Sequence, residues 1–547
     1  MLINAELLLQ YQRCKRRAFL DTHSNARQRD TSGDLLRKLQ QDKAVHQKKV
    51  LTQWNYQQPD YSRRRNYRAA KAETLEMMQQ GVDCIHKGLL VANYGRKATL
   101  SSSPDLLLKQ PGKSRFGDWL YVPANIELGK RPKQEYQVVM AFHTQILAVL
   151  QGVFSPEALL MLRGRENSYA VDLVKRVPQM RQILDECIEA LQTPIPPDLF
   201  ISRQKCSLCH WHSNCYSVAK SDKHLSLLPG VTPVRYTQLQ EINITTPESL
   251  ANIDPNLLKD LPGFDIEVAH KLVLQAQSTV EDRPLVLPLP SRSLRYDGVH
   301  TEGQVQSLIT RDSLISSEEQ KSTRVLFLDH LKPNNPDRLF IEDIISNAPI
   351  ELYFDIEAQP DLNLNYLLGV LVVDNLNKTQ KFYSFLAETP QDEGVVWQQF
   401  LDLVWQYPDA PIYHFCVYEF DTVKRLAKLY HTPSRLVAPV LQRFVDIYEQ
   451  LIRSVTLPVE SYALKAIARW LNFEWRDSEA SGAKCIYWYD QWLKTGDRTL
   501  LDIIQRYNED DCKATRSVKV WLINFLQEQY PITNEPLQKI PNSKFQV

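Results

Sequence analysis

Apolar and polar residues alternate along the N-terminal part of the chain in two distinct periods. A helical period of apolar residues covers Glu73–His86 and Tyr136–Gln151. Shorter apolar runs, which are typical of strands, occupy Gly88–Tyr94, Pro104–Lys109 and Tyr121–Leu128. The first ~220 residues therefore predict a domain that combines long helices with strands.

A second α/β pattern begins near Pro349. It predicts strands at Ile350–Ile356, Tyr366–Asp374 and Lys381–Leu386, then a short strand at Ile412–Cys416, with helices from Tyr462 to Gln527. Proline and serine are frequent after residue 283, which favours a linker there. We therefore expect an α/β multidomain protein divided at 1–220, 221–282 (helical hairpins), 283–345 (linker or small β region), 346–530 and 531–547 (tail).

Composition narrows the class of protein. The 547 residues are 43% hydrophobic and 24% charged, as in ordinary globular proteins. No apolar run reaches the roughly 18 residues that span a bilayer. The N-terminus lacks a basic segment and a small-residue cleavage site, so we expect no signal peptide and a cytoplasmic, non-membrane protein. In that reducing compartment the nine cysteines are metal ligands or free thiols rather than disulfides.

The net charge of the chain is only +1, but its N-terminal segment is basic. Residues 1–71 contain 16 Lys and Arg against 6 Asp and Glu. The densest group is Arg63, Arg64 and Arg65, with Tyr61 and Tyr67 beside it. Basic residues interleaved with aromatic ones suit a phosphate backbone with stacked bases, so we predict DNA binding here. A solvated helix face is the alternative.

Four cysteines form a metal-ligand pattern. Cys206, Cys209 and Cys215 are spaced C-x2-C-x5-C, and Cys14 lies 192 residues before Cys206. Four thiolates can hold a [4Fe–4S] cluster. The alternatives are zinc, with His210 or His212 replacing one thiol, and unrelated free thiols.

This spacing resembles the iron–sulfur members of the RecB-like, PD-(D/E)XK nucleases. In those proteins one N-terminal and three C-terminal cysteines bracket a restriction-endonuclease-like domain. A cluster that joins the two ends of the domain would close a long loop, so that metal binding would contribute to folding.

The same resemblance implies a nuclease site. Its Mg²⁺ or Mn²⁺ ligands would be His46, Asp105 and Glu127, and its catalytic lysine would be Lys130. The family pattern is Glu-x-Lys, whereas this chain has Glu-x-x-Lys. On a regular strand Gly129, rather than Lys130, shares the face of Glu127.

Three alternatives follow from this offset. A bulge at Gly129 would return Lys130 to the correct face. Lys133 or Arg131 would otherwise take the role of the lysine. In the third alternative the domain is inactive and only binds DNA.

Two similar turns occupy the middle region. Leu228-Pro-Gly230 and Leu261-Pro-Gly263 each precede a helical pattern, and they resemble helix–hairpin–helix motifs. In such motifs the backbone N–H groups approach a DNA phosphate, which implies that Gly230 and Gly263 lie at DNA-binding turns. The alternative is a plain helical connector, and the acidic Asp265 and Glu267 near the second turn weaken the DNA interpretation.

The C-terminal pattern carries ordered carboxylates. Asp355 and Glu357 lie on one face of the first predicted strand, as a two-metal phosphodiesterase site requires. Tyr507 and Asp511 are one helical turn apart and share a helix face. Together these motifs resemble the RNase H-like, DEDD-type 3′–5′ exonucleases of the tyrosine subtype, which implies that Tyr507 orients the attacking water.

The remaining motifs of that family are less regular here. Glu419 stands where the resemblance places the third carboxylate, and Asp421 is its competitor. Asp446, and Lys465 in Ser461-Tyr-Ala-Leu464-Lys465, are further residues that would touch substrate or support the structure.

Taken over most of the chain, the motifs resemble a bacterial family of RecB-like nucleases that carry an exonuclease-like C-terminal domain. That resemblance implies a metal-dependent nuclease that hydrolyses DNA exonucleolytically in repair, recombination or end processing. Its expected partners are single-stranded DNA or duplex ends, with a helicase as a candidate. The alternatives are a DNA-end-binding platform whose N-terminal site is inactive, and an RNA-processing exonuclease.

Overall fold

The computed structural model describes residues 1–31, 33–60, 67–288 and 348–529. The chain divides into two compact units, Met1–Ser221 and Asp222–Val547. Most of the expected linker, the tail, and Arg63, Arg64 and Arg65 lie outside the described residues. Within the described ranges, the helices are too short or too polar to cross a membrane.

The first unit contains two sheets. A five-stranded sheet has the order β2-β5-β6-β7-β8, in which only β6 and β7 are parallel, and a three-stranded sheet has the order β1-β4-β3. The strands are β1 (Leu2–Asn4), β2 (Cys84–His86), β3 (Leu90–Tyr94), β4 (Ala98–Ser102), β5 (Leu106–Ser114), β6 (Gly117–Glu127), β7 (Leu159–Leu162) and β8 (Tyr169–Ala170).

Helices of the first unit cover these sheets. They are α1 (Ala5–Arg13), α2 (Lys15–His23), α3 (Asp34–Leu51), α4 (Tyr67–Gln80), α5 (Gln134–Gln151), α6 (Leu173–Gln192), α7 (Arg203–Cys206) and α8 (His212–Ser221). The long apolar helix α5 is central, because it packs on β3, β4, β6 and β7 and on α1 and α6.

One expected helix is wrong at its C-terminal end. Helix α4 stops at Gln80 because Gly81 adopts a left-handed conformation with φ +71°. The following residues Cys84 and Ile85 then pair with β5, and both are almost fully buried. Strand pairing and burial therefore override the helical period in this segment.

The second unit begins with short helices and ends with a mixed sheet. Its helices are α9 (Pro233–Glu241), α10 (Pro247–Ala251), α11 (Ile266–Glu281), α12 (Glu393–Gln406), α13 (Tyr418–Leu429), α14 (Ser434–Leu441), α15 (Ile447–Ser454), α16 (Leu464–Trp470), α17 (Gly482–Thr495) and α18 (Arg498–Gln529). Its strands are β9 (Leu285–Val286), β10 (Ile350–Gln359), β11 (Leu364–Asp374), β12 (Thr379–Leu386), β13 (Ile412–His414), β14 (Phe444–Asp446) and β15 (Val455–Thr456).

The five-stranded sheet of this unit has the order β12-β11-β10-β13-β14. Strands β12, β11 and β10 form an antiparallel meander, and β13 and β14 are parallel to β10. Alternation along β10 sends Phe354 to one face, where it stacks on Phe400 of α12. Asp355 and Glu357 therefore lie on the opposite face, against which α18 packs.

Candidate active sites

Three carboxylates converge where α18 crosses β10. Asp355 and Glu357 come from the strand and Asp511 from the helix, and one carboxylate oxygen of each lies within 4.8 Å of the other two. Glu357 is 6% exposed and Asp511 9% exposed, so water screens their repulsion only weakly. Such a group is stable in its ionised form only with a cation, and oxygen ligands suit Mg²⁺ or Mn²⁺.

A glycine opposite Asp355 makes room for a hydrogen-bond donor to this cluster. Gly369 of β11 pairs with Asp355, and a Cβ at position 369 would lie 1.7 Å from Oδ1 of Asn508. Asn508 is fully buried on α18, and its Nδ2 donates to Oδ2 of Asp355 over 2.6 Å. The absence of a side chain at Gly369 thus permits the contact that holds the Asp355 carboxylate in place.

The pKa values of the carboxyl groups reflect their crowding. Burial, followed by repulsion from the neighbouring carboxylates, raises the pKa of Asp355 and of Glu357 well above the usual range. Burial also raises the pKa of Asp511 to about 7, although hydrogen bonds from Trp475 and Tyr507 oppose the shift. A divalent cation would restore the ionised forms, so metal and protons compete for this site.

An aromatic layer supports Asp511. Nε1 of Trp475 donates to Oδ1 of Asp511 over 2.7 Å, and Tyr507 bonds to the same carboxylate from one helical turn away. The Nζ atom of Lys465 lies 5.2 Å from the ring centroids of both Trp475 and Tyr507. Lys465 also donates a hydrogen bond to the carbonyl oxygen of Ala480.

The two candidates for the third carboxylate differ in exposure. Glu419 is 5% exposed, its Oε2 atom lies 3.7 Å from Nδ1 of His414, and its charge contributes to the raised pKa of Asp355. Asp421 is exposed to solvent. Asp446 accepts hydrogen bonds from the backbone N–H groups of residues 416, 448 and 449, so it caps a helix.

In the first unit, lysines accompany both predicted carboxylates. Asp105 pairs with Lys87, and its Oδ2 accepts the backbone N–H of residue 126 over 2.7 Å. Glu127 pairs with Lys43 of α3 over 3.2 Å. Lys87 has φ +55°, a conformation that non-glycine residues rarely adopt, and such strain is often found at functional sites.

The other predicted residues of this site are less closely gathered. His46 also lies on α3, but the ligand atoms of His46, Asp105 and Glu127 do not all come within 4.8 Å of one another. Strand β6 ends at Glu127, so Gly129 and Lys130 belong to the loop before α5. The register shift between β5 and β6 lies at residues 111–114, far from Gly129.

The four predicted cluster cysteines are neighbours. Burial raises the pKa of Cys206 and Cys209, and raises that of Cys215 to about 11, with Cys14 contributing in each case. Backbone N–H groups reach three of the sulfurs, at 3.4 Å for Cys14, 3.3 Å for Cys206 and 3.5 Å for Cys209. The fold thus gathers residues from both ends of the first unit.

The two Leu-Pro-Gly turns lie side by side. Gly230 and Gly263 have φ +91° and +83°, and one guanidinium, that of Arg235, donates to both carbonyl oxygens over 2.7 Å. Thr232 and Asp265 cap the helices that follow these turns. The caps already accept the N–H groups of residues 235 and 268.

Several residues at these sites were not predicted from the sequence. Asn508 stands inside the Tyr-x3-Asp motif, and a polar residue on the buried face of a helix was the available signal. Trp475, Lys43 and Lys87 lie far in sequence from the carboxylates they contact, and no motif marks them.

Comparison with known families identifies one part of the chain. A search of the curated proteins found no match. A model of the RNase H superfamily matches residues 352–523, which include the three converging carboxylates. Nucleases of this superfamily generally use divalent metals, in agreement with the acidic cluster. Residues 352–523 therefore form a domain of the RNase H superfamily, which indicates a nuclease-type function.

Proposed function

We propose that this protein is a metal-dependent exonuclease that removes nucleotides from the 3′ end of DNA. The convergence of Asp355, Glu357 and Asp511 within 4.8 Å, inside an RNase H superfamily domain, carries this proposal. Buried Glu419 supplies a further carboxylate, whose charge acts on both Asp355 and Glu357. The tyrosine-subtype motif at Tyr507 favours exonucleolytic cleavage over internal cleavage.

The residues present fit a divalent-metal site, and they serve as metal ligands or as groups that orient those ligands. Mg²⁺ or Mn²⁺ held by these carboxylates would activate water and neutralise charge on the phosphate. Asn508 and Trp475 fix the orientation of Asp355 and Asp511 by hydrogen bonds. The hydroxyl of Tyr507 bonds to Asp511, and we assign to it the orientation of the attacking water.

Cleavage of end-labelled single-stranded DNA in Mn²⁺ tests this proposal. We expect Asp355→Asn to lower the rate by about 10²- to 10³-fold, since several kcal/mol of metal-based stabilisation would be lost. The matched control is Asp421→Asn, because Asp421 is an exposed carboxylate of the same domain. Full activity of Asp355→Asn would contradict the assignment.

Two further arms of this assay decide polarity and substrate. Release of label from the 3′ terminus first would support 3′–5′ action. DNA is favoured over RNA because the N-terminal motifs and the paired turns resemble DNA-processing modules. Faster cleavage of a matched RNA strand would support the RNA-processing alternative. A role in repair, recombination or end processing, a helicase partner and a cytoplasmic location stay predictions.

For the first unit we propose a [4Fe–4S] cluster on Cys14, Cys206, Cys209 and Cys215. No three of these sulfurs lie within 4.8 Å of one another, whereas one zinc ion with bonds of about 2.3 Å would hold them within about 4.6 Å. The N–H groups directed at three of the sulfurs suit cluster thiolates. The cluster would tie the two ends of the unit together.

Anaerobic purification tests the cluster. We expect a brown chromophore and bound iron, both lost in Cys14→Ser and retained in Cys84→Ser, since Cys84 lies in β2. Zinc without iron would support the zinc alternative instead.

A second candidate function for the first unit is DNA-end binding without cleavage. It is favoured by the pairing of Asp105 with Lys87 and of Glu127 with Lys43, which leaves each carboxylate already neutralised. Glu127→Gln should then leave the nuclease rate unchanged. A loss of part of the activity would instead support a working N-terminal site.

A further inference from the structure

Lys465 stands at the edge of the C-terminal acidic cluster without belonging to it. It lies in the first turn of α16, and its amine faces the rings of Trp475 and Tyr507, each at 5.2 Å. Both rings bond to the Asp511 carboxylate. The lysine is thus held next to a predicted metal ligand by two groups that also touch that ligand.

The amine of Lys465 forms no salt bridge with any residue that the structure describes. Among the described residues, no carboxylate oxygen lies within 4.0 Å of its Nζ atom, although Asp511 attracts the amine from further away. An ammonium group carries three N–H donors. One donates to the carbonyl oxygen of Ala480, which leaves two for which no described residue is an acceptor.

Further positive charge surrounds this position. Lys484 and Arg469 are near enough to lower the pKa of Lys465, after the larger effect of burial. Lys484 also pairs with Glu479 over 2.7 Å, so the positive charge beside Asp511 comes mainly from Lys465 and Arg469. An anion that bound metal on one side and an ammonium on the other would satisfy both, and the phosphodiester of a nucleic acid is such an anion.

We propose that Lys465 binds a phosphate oxygen of the nucleic-acid strand at the metal centre, with Trp475 and Tyr507 holding its amine in position. This inference rests on the proposed nuclease function. It assigns Lys465 to substrate binding rather than to support of α16. A lysine suits a phosphate contact because its ammonium group is a compact charge on a flexible side chain. Here the aromatic faces of Trp475 and Tyr507 restrict the position of that group.

Salt dependence of binding separates a phosphate contact from a structural one. The probe is a short thymidine strand with phosphorothioate linkages, titrated in the presence of Mn²⁺ at several salt concentrations. For Lys465→Gln we expect weaker binding and a slope of log affinity against log salt that is smaller by about 0.7, the value for one contact on a single strand. Lys465→Arg keeps the charge and should keep the slope.

Two controls accompany this measurement. Lys428→Gln removes an exposed lysine of the same domain and should leave the slope unchanged. Mn²⁺ affinity without DNA should not fall in Lys465→Gln, because Lys465 is not a metal ligand and its positive charge opposes that of the cation. If the glutamine variant fails to fold, Lys465→Met keeps the aliphatic stem over the two rings and gives the same readout.

An unchanged slope in a folded Lys465→Gln or Lys465→Met protein would overturn this inference. That result would leave the proposed nuclease function intact if the wild type cleaves DNA. A wild type that neither binds nor cleaves nucleic acid would contradict both the proposed nuclease function and the phosphate contact of Lys465. In steady-state cleavage we expect the loss of Lys465 to act mainly on KM, because the contact is made in the bound strand before reaction.

Discussion

Replacing Gly369 by alanine perturbs the acidic cluster of the C-terminal domain without touching a charged group. The new methyl would lie 1.7 Å from Oδ1 and 2.8 Å from Cγ of Asn508, and 2.9 Å from Cζ of Phe382. The Asn508 amide cannot remain where it is, since Asn508 is fully buried and α18 packs on β11. Its hydrogen bond to Asp355 is therefore lost.

Two costs follow for Gly369→Ala. Overpacking of a buried site costs about 1–3 kcal/mol. Loss of a hydrogen bond to a charged group costs about 1.5–3 kcal/mol. The free energy of unfolding should thus fall by about 2.5–6 kcal/mol. A displaced Asp355 should also lower the cleavage rate by about 10²-fold, the loss that a misplacement near 1 Å can cause.

Urea unfolding and Mn²⁺-dependent cleavage of labelled DNA measure the two effects. Gly482→Ala is the matched control, because no atom lies within 4 Å of the position that its new methyl would take and Gly482 begins helix α17. We expect Gly482→Ala to be neutral or slightly stabilising, by at most about 1 kcal/mol.

The double variant Gly369→Ala/Asn508→Ala decides whether the clash is the cause. Truncation of Asn508 removes the closest collision and leaves only the 2.9 Å contact with Phe382, so the double variant should be little less stable than Asn508→Ala alone. This strong coupling is what a direct contact requires. Additive effects of the two substitutions, or a Gly369→Ala protein with normal stability and activity, would refute the reasoning.

Three other predictions concern protonation, orientation and the paired turns. Burial raises the pKa of Asp511 from 3.8 to about 7, so the folded metal-free chain holds a proton that the unfolded chain releases, and stability should fall as pH rises between these values. The free energy of unfolding should fall by up to about 1.4 kcal/mol per pH unit, which thermal melting in EDTA at several pH values would measure. Mn²⁺ should stabilise the protein most above pH ~7. A Tm that rises with pH between pH ~4 and ~7 would contradict this prediction. Trp475→Phe removes the donor to Asp511 and should weaken Mn²⁺ binding by about 10- to 100-fold in a metal titration. The control is Trp405→Phe, whose indole donates to the carbonyl oxygen of Leu436 and which should not change Mn²⁺ affinity. Equal Mn²⁺ affinities of Trp475→Phe and the wild type would refute this role of Trp475. Arg235→Lys breaks two hydrogen bonds between the Leu-Pro-Gly turns and should cost about 1–3 kcal/mol in urea unfolding, and an unchanged midpoint would exclude the bridge.

Local patterns identified the elements of the C-terminal domain well. The strands expected at Ile350–Ile356 and Tyr366–Asp374 correspond to β10 and β11, because a buried strand leaves a continuous apolar run in the sequence. The RNase H-like expectation for this region is confirmed by the superfamily match to residues 352–523. The RecB-like fold, the cluster and the roles of individual site residues stay predictions.

By itself, the sequence determined features that depend on near neighbours. Strand alternation places Asp355 and Glu357 on one face, and a helical turn places Tyr507 above Asp511, because these relations follow from backbone geometry alone. Tertiary structure alone decided the contacts between distant segments. It set Trp475 against Asp511, Asn508 in the space left by Gly369, and the amine of Lys465 beside the same carboxylate. Such contacts depend on how α18 and the loops pack over the sheet, and no local period of apolar residues encodes that packing.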